Sequence, residues 1–192
     1  ITLPEEKSML EELTKDKSGF TIEQSHKDSI DYPPLNFDLT SLQREANSLW
    51  SWTSKDTLSV AQELYDTHKL TTYPRTDSRH LPEDMIETIG KTITQLGAQE
   101  DYNEHSKRLK DNGLQNVKKI FDDFKVSDHY AIIPTGKLPQ DNLNSRASKL
   151  YDLICRQFLA SFHPKAIWDV QTRIASKQGQ NFHKEVRILK DA

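Results

Sequence analysis

Lys69-Leu70-Thr71-Thr72-Tyr73-Pro74-Arg75-Thr76-Asp77-Ser78-Arg79-His80 crowds a tyrosine, two arginines, a histidine and a run of hydroxyl side chains into twelve residues, with Leu70 as its one aliphatic member. No core strand or core helix has that make-up. Pro74 fixes its own φ and pushes Tyr73 toward an extended conformation. In an extended segment Tyr73 and Arg75 point to the same side, two residues apart. A phenol and a guanidinium aimed at one point suit a phosphate, because the hydroxyl can attack phosphorus while the arginine binds its oxygens. The same residues also fit a plain proline turn with a solvated arginine, and spacing alone does not choose between the two.

Working outward toward the N-terminus, Leu39, Leu42, Ala46 and Leu49 form a helical stripe, with Gln43, Arg44 and Asn47 on the other face. Trp50 and Trp52 follow in a turn, where packing into the core is the favoured reading over stacking on bases. Ser54 is read as the N-cap of a second helix with Leu58, Ala61, Leu64 and Tyr65 on one face, ending near His68 and Lys69. Two amphipathic helices joined by a short turn make a helix-turn-helix candidate. Pro33-Pro34 marks a boundary upstream. Before it, the reading expects a helix over Pro4–Leu13, a strand over Gly19–Ile22 and a polar connection to Tyr32.

Toward the C-terminus, Pro82 starts a helix through Met85, Ile86, Ile89 and Ile93. Residues 97–117 are weakly patterned and read as a short helix with flexible joints, and Ile120–Phe124 as a further turn. Asp128-His129-Tyr130-Ala131-Ile132-Ile133-Pro134-Thr135 leads titratable groups straight into an apolar run. A proline-bearing loop to Asn144 precedes a helix with Leu150, Tyr151, Ile154 and Phe158 inward. After Pro164 the period changes to two: Trp168, Val170, Thr172 and Ile174 form a half-buried strand, Gln178-Gly179-Gln180 a turn, and Phe182, Val186 and Ile188 one face of a returning strand.

The composition is polar, with 34% hydrophobic and 29% charged residues in 192 and a mean hydropathy of -0.77. That is low for one compact domain and too rich in recurring aromatics and leucines for disorder. A net charge of -3 argues against a uniformly basic nucleic-acid binder and leaves room for a local basic groove. The single Cys155 allows no intrachain disulfide, which fits a reducing cytoplasm. No segment approaches the ~20 apolar residues of a membrane span, and no signal peptide is evident. Because the chain opens at Ile1, the reading expects a piece of a longer protein.

Thr72-Tyr73-Pro74-Arg75-Thr76-Asp77-Ser78 resembles the active-site tyrosine motif of type IA DNA topoisomerases. Pro33-Pro34 with Leu39–Asn47 resembles the lead-in to that family's tyrosine domain. Asp128–Thr135 resembles its histidine motif, in the form used by bacterial topoisomerase III. The resemblance spans roughly Pro33 to Trp168. It implies an α+β fold: a mainly helical tyrosine domain resembling a CAP-like helix-turn-helix fold, flanked by antiparallel strands from both chain ends. The expected division is 1–38 as part of a strand-rich arch, 39–164 as the tyrosine domain, and 165–192 as the arch's return strands.

The resemblance further implies Tyr73 as nucleophile, Arg75 as phosphate binder and His129 as a phosphate or carboxylate partner. One departure is that family members of the topoisomerase III kind often carry two adjacent histidines where this chain has His129-Tyr130, so a role is carried over for His129 alone. Arg44, Lys55, Thr76, Ser78 and Arg79 are the DNA-binding candidates, with Lys69 and Arg156 as further groove residues. His68, His80, His105 and His163 show no zinc-ligand spacing. Mg²⁺ would be bound by the acidic Toprim domain with which such enzymes begin; nothing here matches that domain, so no cofactor site is expected within this chain. The implied partners are DNA, preferably single-stranded, and the remaining domains of the parent. No membrane is involved, and the location is cytoplasmic, with nucleoid or plasmid. Two other readings stay open: a non-catalytic helix-turn-helix module binding nucleic acid or protein, and a stand-alone phosphodiesterase.

Overall fold

The computed structural model describes residue 15, residues 19–139 and residues 143–191. The expected helix over Pro4–Leu13, and the middle of the loop leading to Asn144, lie outside the described residues. The chain divides into two compact units, 1–32 with 165–192, and 33–164. The helical unit thus begins at Pro33 rather than at 39.

The first unit is a three-stranded antiparallel sheet in the order β1-β2-β3, with β1 at Thr21–Asp31, β2 at Ala166–Lys177 and β3 at Gln180–Asp191. Thr172 of β2 pairs with Ser25 on one side and Glu185 on the other, so the chain's two ends supply neighbouring strands. The hairpin between β2 and β3 turns on Gln178 (φ 49) and Gly179 (φ 78). Two positive φ angles in a row match the right-handed twist of the flanking strands, and glycine takes the second at no steric cost. β1 corrects the sequence reading, which gave it four residues and a polar connection. It runs eleven residues and nearly all are exposed. With neither face buried, no apolar alternation marks it in the sequence.

The second unit contains the core. Helix α1 (Leu39–Trp50) starts at Asp38, whose carboxylate accepts from the Ser41 N–H at 2.6 Å while the Ser41 hydroxyl accepts from the Asp38 N–H, a reciprocal cap. Leu42 and Ala46 of the expected stripe are buried, whereas Leu49 is 53% exposed. Helix α2 (Ser54–Asp66) is capped by Thr53, whose hydroxyl accepts from the Asp56 N–H. Ser54, read as the cap, is the first helical residue. The inward residues are Thr57, Val60, Ala61 and Leu64. Trp50 and Trp52 sit between α1 and α2, ring centres 4.8 Å apart, half-buried against the core.

A single 3₁₀ turn (Glu83–Met85) leads into α3 (Ile86–Leu96). Residues Glu100–Asn112 form α4, a thirteen-residue helix where a short one was expected. Its buried positions are only Tyr102, Ser106 and Leu109, too sparse a stripe to read from sequence. The one-turn helix α5 (Val117–Ile120) follows, and then α6 (Ser145–Ser161), begun by Asn144, whose side chain accepts from the Arg146 and Ala147 N–H groups. α6 buries Leu150, Tyr151, Ile154, Cys155 and Phe158 among the other helices. The fold is therefore α+β.

Candidate active site

The tyrosine segment leaves α2 through a strained corner. Lys69 adopts the left-handed conformation (φ 54), and the Leu70 N–H reaches back to the Leu64 carbonyl at 3.0 Å. From there the chain is laced to the His129–Thr135 stretch. The Leu70 carbonyl accepts from the Thr135 N–H (2.9 Å), and the Thr72 N–H donates to the Ile133 carbonyl (3.0 Å). The Thr72 hydroxyl donates to the Ala131 carbonyl and accepts from the Ile133 N–H, both at 2.9 Å. Thr71 and Pro134 form an antiparallel bridge. Beyond the tyrosine, the Thr76 hydroxyl donates to the His129 carbonyl (2.9 Å), and the His80 carbonyl accepts from the Ala131 N–H (3.0 Å).

The segment before α1 joins the same assembly. Phe37 bridges to Ile132, and the Leu39 N–H donates to the Thr76 carbonyl at 3.0 Å. Three stretches far apart in sequence, around Phe37, Tyr73 and Ile132, thus meet in one place.

Tyr73 is held at both flanks with its ring half-buried. That ring meets Tyr65 edge to face at 5.3 Å and lies 4.4 Å from the imidazole of His129, the planes tilted by 46°. His129 itself is exposed. Arg75 is exposed on the surface, and the Gln62 amide oxygen, turned toward the guanidinium, accepts from its Nη2 at 3.0 Å and its Nε at 3.1 Å. Gln62 and Tyr65 are one turn apart on α2, hence neighbours on one helix face. Tyr73 and Arg75 therefore lean on adjacent positions of the same face, although the chain bends at Pro74 where the sequence suggested an extended run.

The remaining candidates separate clearly. Thr76 and Ser78 are buried: the Ser78 hydroxyl donates to the Lys125 carbonyl at 2.7 Å and its N–H donates to the Thr76 hydroxyl. Arg79 donates from Nε to the Asn36 carbonyl (2.9 Å) and from Nη2 to the Leu35 carbonyl (3.3 Å). These three were expected on DNA; the structure instead puts their polar groups on protein carbonyls, where they fix the loop. Asp77, exposed between Thr76 and Ser78, accepts from the Ser127 hydroxyl at 3.1 Å. Arg44 and Lys55 are exposed, but Lys55 lies ten residues before Tyr65 on α2, about 15 Å along the axis.

Arg156 grips Asp152 at 2.8 Å and covers the Tyr102 ring. Tyr130, in the second histidine's place, is half-buried against the core. Burial first, then the nearby Asp84 charge and Tyr65, hold its phenol above the ordinary tyrosine range. Among the described residues no group of three or more His, Cys, Asp or Glu is placed to hold a metal ion.

Gln62 and Tyr65 escaped sequence reasoning as site residues. The available signal was their position one turn apart on the helix that runs directly into the tyrosine motif.

A family model described as DNA topoisomerase matches residues 2–192. DNA topoisomerase 3 of Bacillus subtilis is 40% identical over 152 residues, covering 79% of this chain and 21% of that protein. DNA topoisomerase 3 of Staphylococcus epidermidis is 37% identical over 178 residues, covering 92% of this chain and 25% of that protein. The chain therefore spans about a quarter or less of the length of these relatives. Among solved structures, full-length topoisomerase I from Thermotoga maritima aligns with 97% of this chain and 30% of its own at a TM-score of 0.59; at 24% identity it speaks for the fold. With the tyrosine, arginine and histidine motifs gathered at one surface and the family match running nearly end to end, the chain belongs to the DNA topoisomerase family.

Proposed function

We propose that this chain carries the nucleophile of a type IA DNA topoisomerase of the topoisomerase III kind. The observation that carries the reading is the position of Tyr73: half-exposed, flanked by His129 at 4.4 Å, with Arg75 two residues on leaning against the same face of α2 through Gln62.

In this reading the Tyr73 Oη attacks a backbone phosphorus of one DNA strand. The bond from phosphorus to the 3′ oxygen breaks, giving a 5′-phosphotyrosine link and a free 3′-hydroxyl. The phenol gives up its proton as it attacks, and the departing 3′ oxygen gains one. Reversal reseals the strand, and because the phosphodiester energy is kept in the link, no ATP is required. Gln62 occupies the Nε side of the Arg75 guanidinium, which leaves the Nη1 and Nη2 end free as a fork for two phosphate oxygens. Charge growing on those oxygens in the transition state is where such a fork is most effective. His129 supplies a second donor to the same phosphate.

The helical unit would then be the mobile tyrosine domain, its α1 and α2 a CAP-like helix-turn-helix pair, and the three-stranded sheet a part of the arch. Arg44 and Lys55 would contribute to a groove for single-stranded DNA. By the family resemblance, Mg²⁺ would be held by acidic residues of the parent's other domains. The parent would act in the cytoplasm, passing a second strand through the break before resealing.

Two experiments test this. The 192-residue chain incubated with single-stranded DNA should form no covalent adduct without the metal-binding half; efficient adduct formation would overturn that part. In the parent enzyme, Tyr73→Phe should abolish relaxation and leave single-strand affinity nearly intact. Relaxation that survives the change would exclude Tyr73 as nucleophile and favour a non-catalytic helix-turn-helix module.

A further inference from the structure

Lys69 occupies a position where a side chain is a burden. Its φ of 54 is the left-handed conformation in which helices commonly end, usually on glycine. Strained backbone held in place by its surroundings gathers at functional sites. The surroundings here are specific: the Lys69 carbonyl accepts from the Thr135 hydroxyl at 2.8 Å, so the corner is tied to the segment that carries His129.

The side chain is placed as well. Its Nζ lies 5.2 Å from the centre of the Tyr65 ring, and that ring meets Tyr73 edge to face at 5.3 Å. An ammonium over a tyrosine face is attracted to it without being neutralised. Asp66, the acid nearest in sequence, makes no ion pair with Lys69 among the described residues, and Glu63 is engaged by His68 (3.4 Å) and by Asn144 (2.7 Å). Lys69 is exposed and forms no ion pair among the described residues. The result is an uncompensated positive charge two ring contacts from the nucleophile.

We propose that Lys69 binds a backbone phosphate beside the one that Tyr73 attacks, and that Tyr65 is the positioning residue holding ammonium and phenol in register. This rests on the reading of Tyr73 as nucleophile. Lys69 would set which linkage of the strand reaches the phenol, while Arg75 and His129 act on the reacting phosphate itself.

The test is the salt dependence of single-stranded oligonucleotide binding by the 192-residue chain, followed by fluorescence anisotropy. Each phosphate neutralised on a single strand adds about 0.7 to the slope of log K against log salt. Lys69→Met and Lys69→Gly are each expected to lower that slope by about this amount. Lys69→Gly also relieves the corner, so a lost fold cannot explain its effect. Lys107→Met, on the exposed face of α4, should leave the slope unchanged. Tyr65→Phe keeps the ring and should bind like wild type, whereas Tyr65→Leu should behave like Lys69→Met. An unchanged slope in both Lys69 variants, or an equal fall in Lys107→Met, would overturn the proposal. A wild-type chain with no affinity for the strand would also overturn the proposal, whereas relaxation that survives Tyr73→Phe in the parent enzyme would overturn the Tyr73 reading beneath it.

Discussion

Thr72 links the two halves of the site through one hydroxyl, which donates to the Ala131 carbonyl and accepts from the Ile133 N–H while its backbone joins the same ladder. Thr72→Val keeps the shape and removes both bonds, leaving an N–H and a carbonyl without that partner. The expected loss is about 1–3 kcal/mol of stability, read by denaturant unfolding, with Thr72→Ser close to wild type. Sequence placed Tyr73 and Arg75 outside the core because a phenol and a guanidinium either side of a proline have no role there, and the structure leaves Tyr73 half-buried and Arg75 exposed. Thr76, Ser78 and Arg79 misled for the same reason. Polar side chains in a loop look free in sequence, yet a buried irregular segment has backbone carbonyls to satisfy, and these residues satisfy them. Gln62 was invisible because one amide on a helix carries no signal until its partner is known.

Among the elements, α6 holds the helical unit together, and its spacing of Leu150, Ile154 and Phe158 could be read directly from sequence. Phe158 is 1% exposed and meets Phe162 edge to face at 5.4 Å. Phe158→Ala should destabilise the unit by about 3–5 kcal/mol, measured by thermal or denaturant melts. A loss below 1 kcal/mol would mean the helix is less central than its burial indicates. β2 was legible from its alternation, although nearly all of its residues prove half-buried, and β3 from Phe182, Val186 and Ile188, although nearly all of it is exposed. In β1 the pairing is made by backbone groups while the side chains face solvent, and backbone pairing leaves no mark on composition. α4 was foreshortened in the reading for a related reason: most of its surface is charged and wet.

Across the chain, the order of strand, helices and paired strands was readable from changes of period, and Pro33 and Pro164 prove to be the two ends of the helical unit. What sequence could not supply was the convergence of Phe37, Tyr73 and Ile132, since bridges between distant segments depend on the fold as a whole. Acid should weaken that fold. Burial, followed by the neighbouring His105 and Arg108, holds His163 below the ordinary histidine range, and its Nε2 is buried without a hydrogen-bond partner. Burial and then Lys125 do the same to His80. With folded-state values depressed below about 6.5, the unfolded chain binds more protons in that window, so stability falls as pH drops through it. Urea unfolding at about pH 7.5 and about pH 5.5 should show the loss, and His163→Gln should reduce it. Equal stability at the two values would mean both imidazoles protonate freely in the fold.

The most direct measurement is to quench the parent enzyme during reaction with single-stranded DNA, digest the trapped covalent complex, and locate the modified residue by mass spectrometry. DNA is expected on the peptide bearing Tyr73, joined through a 5′-phosphate. A link to any other side chain, or an adduct that persists in Tyr73→Phe, would show that this tyrosine is not the group presented to the strand.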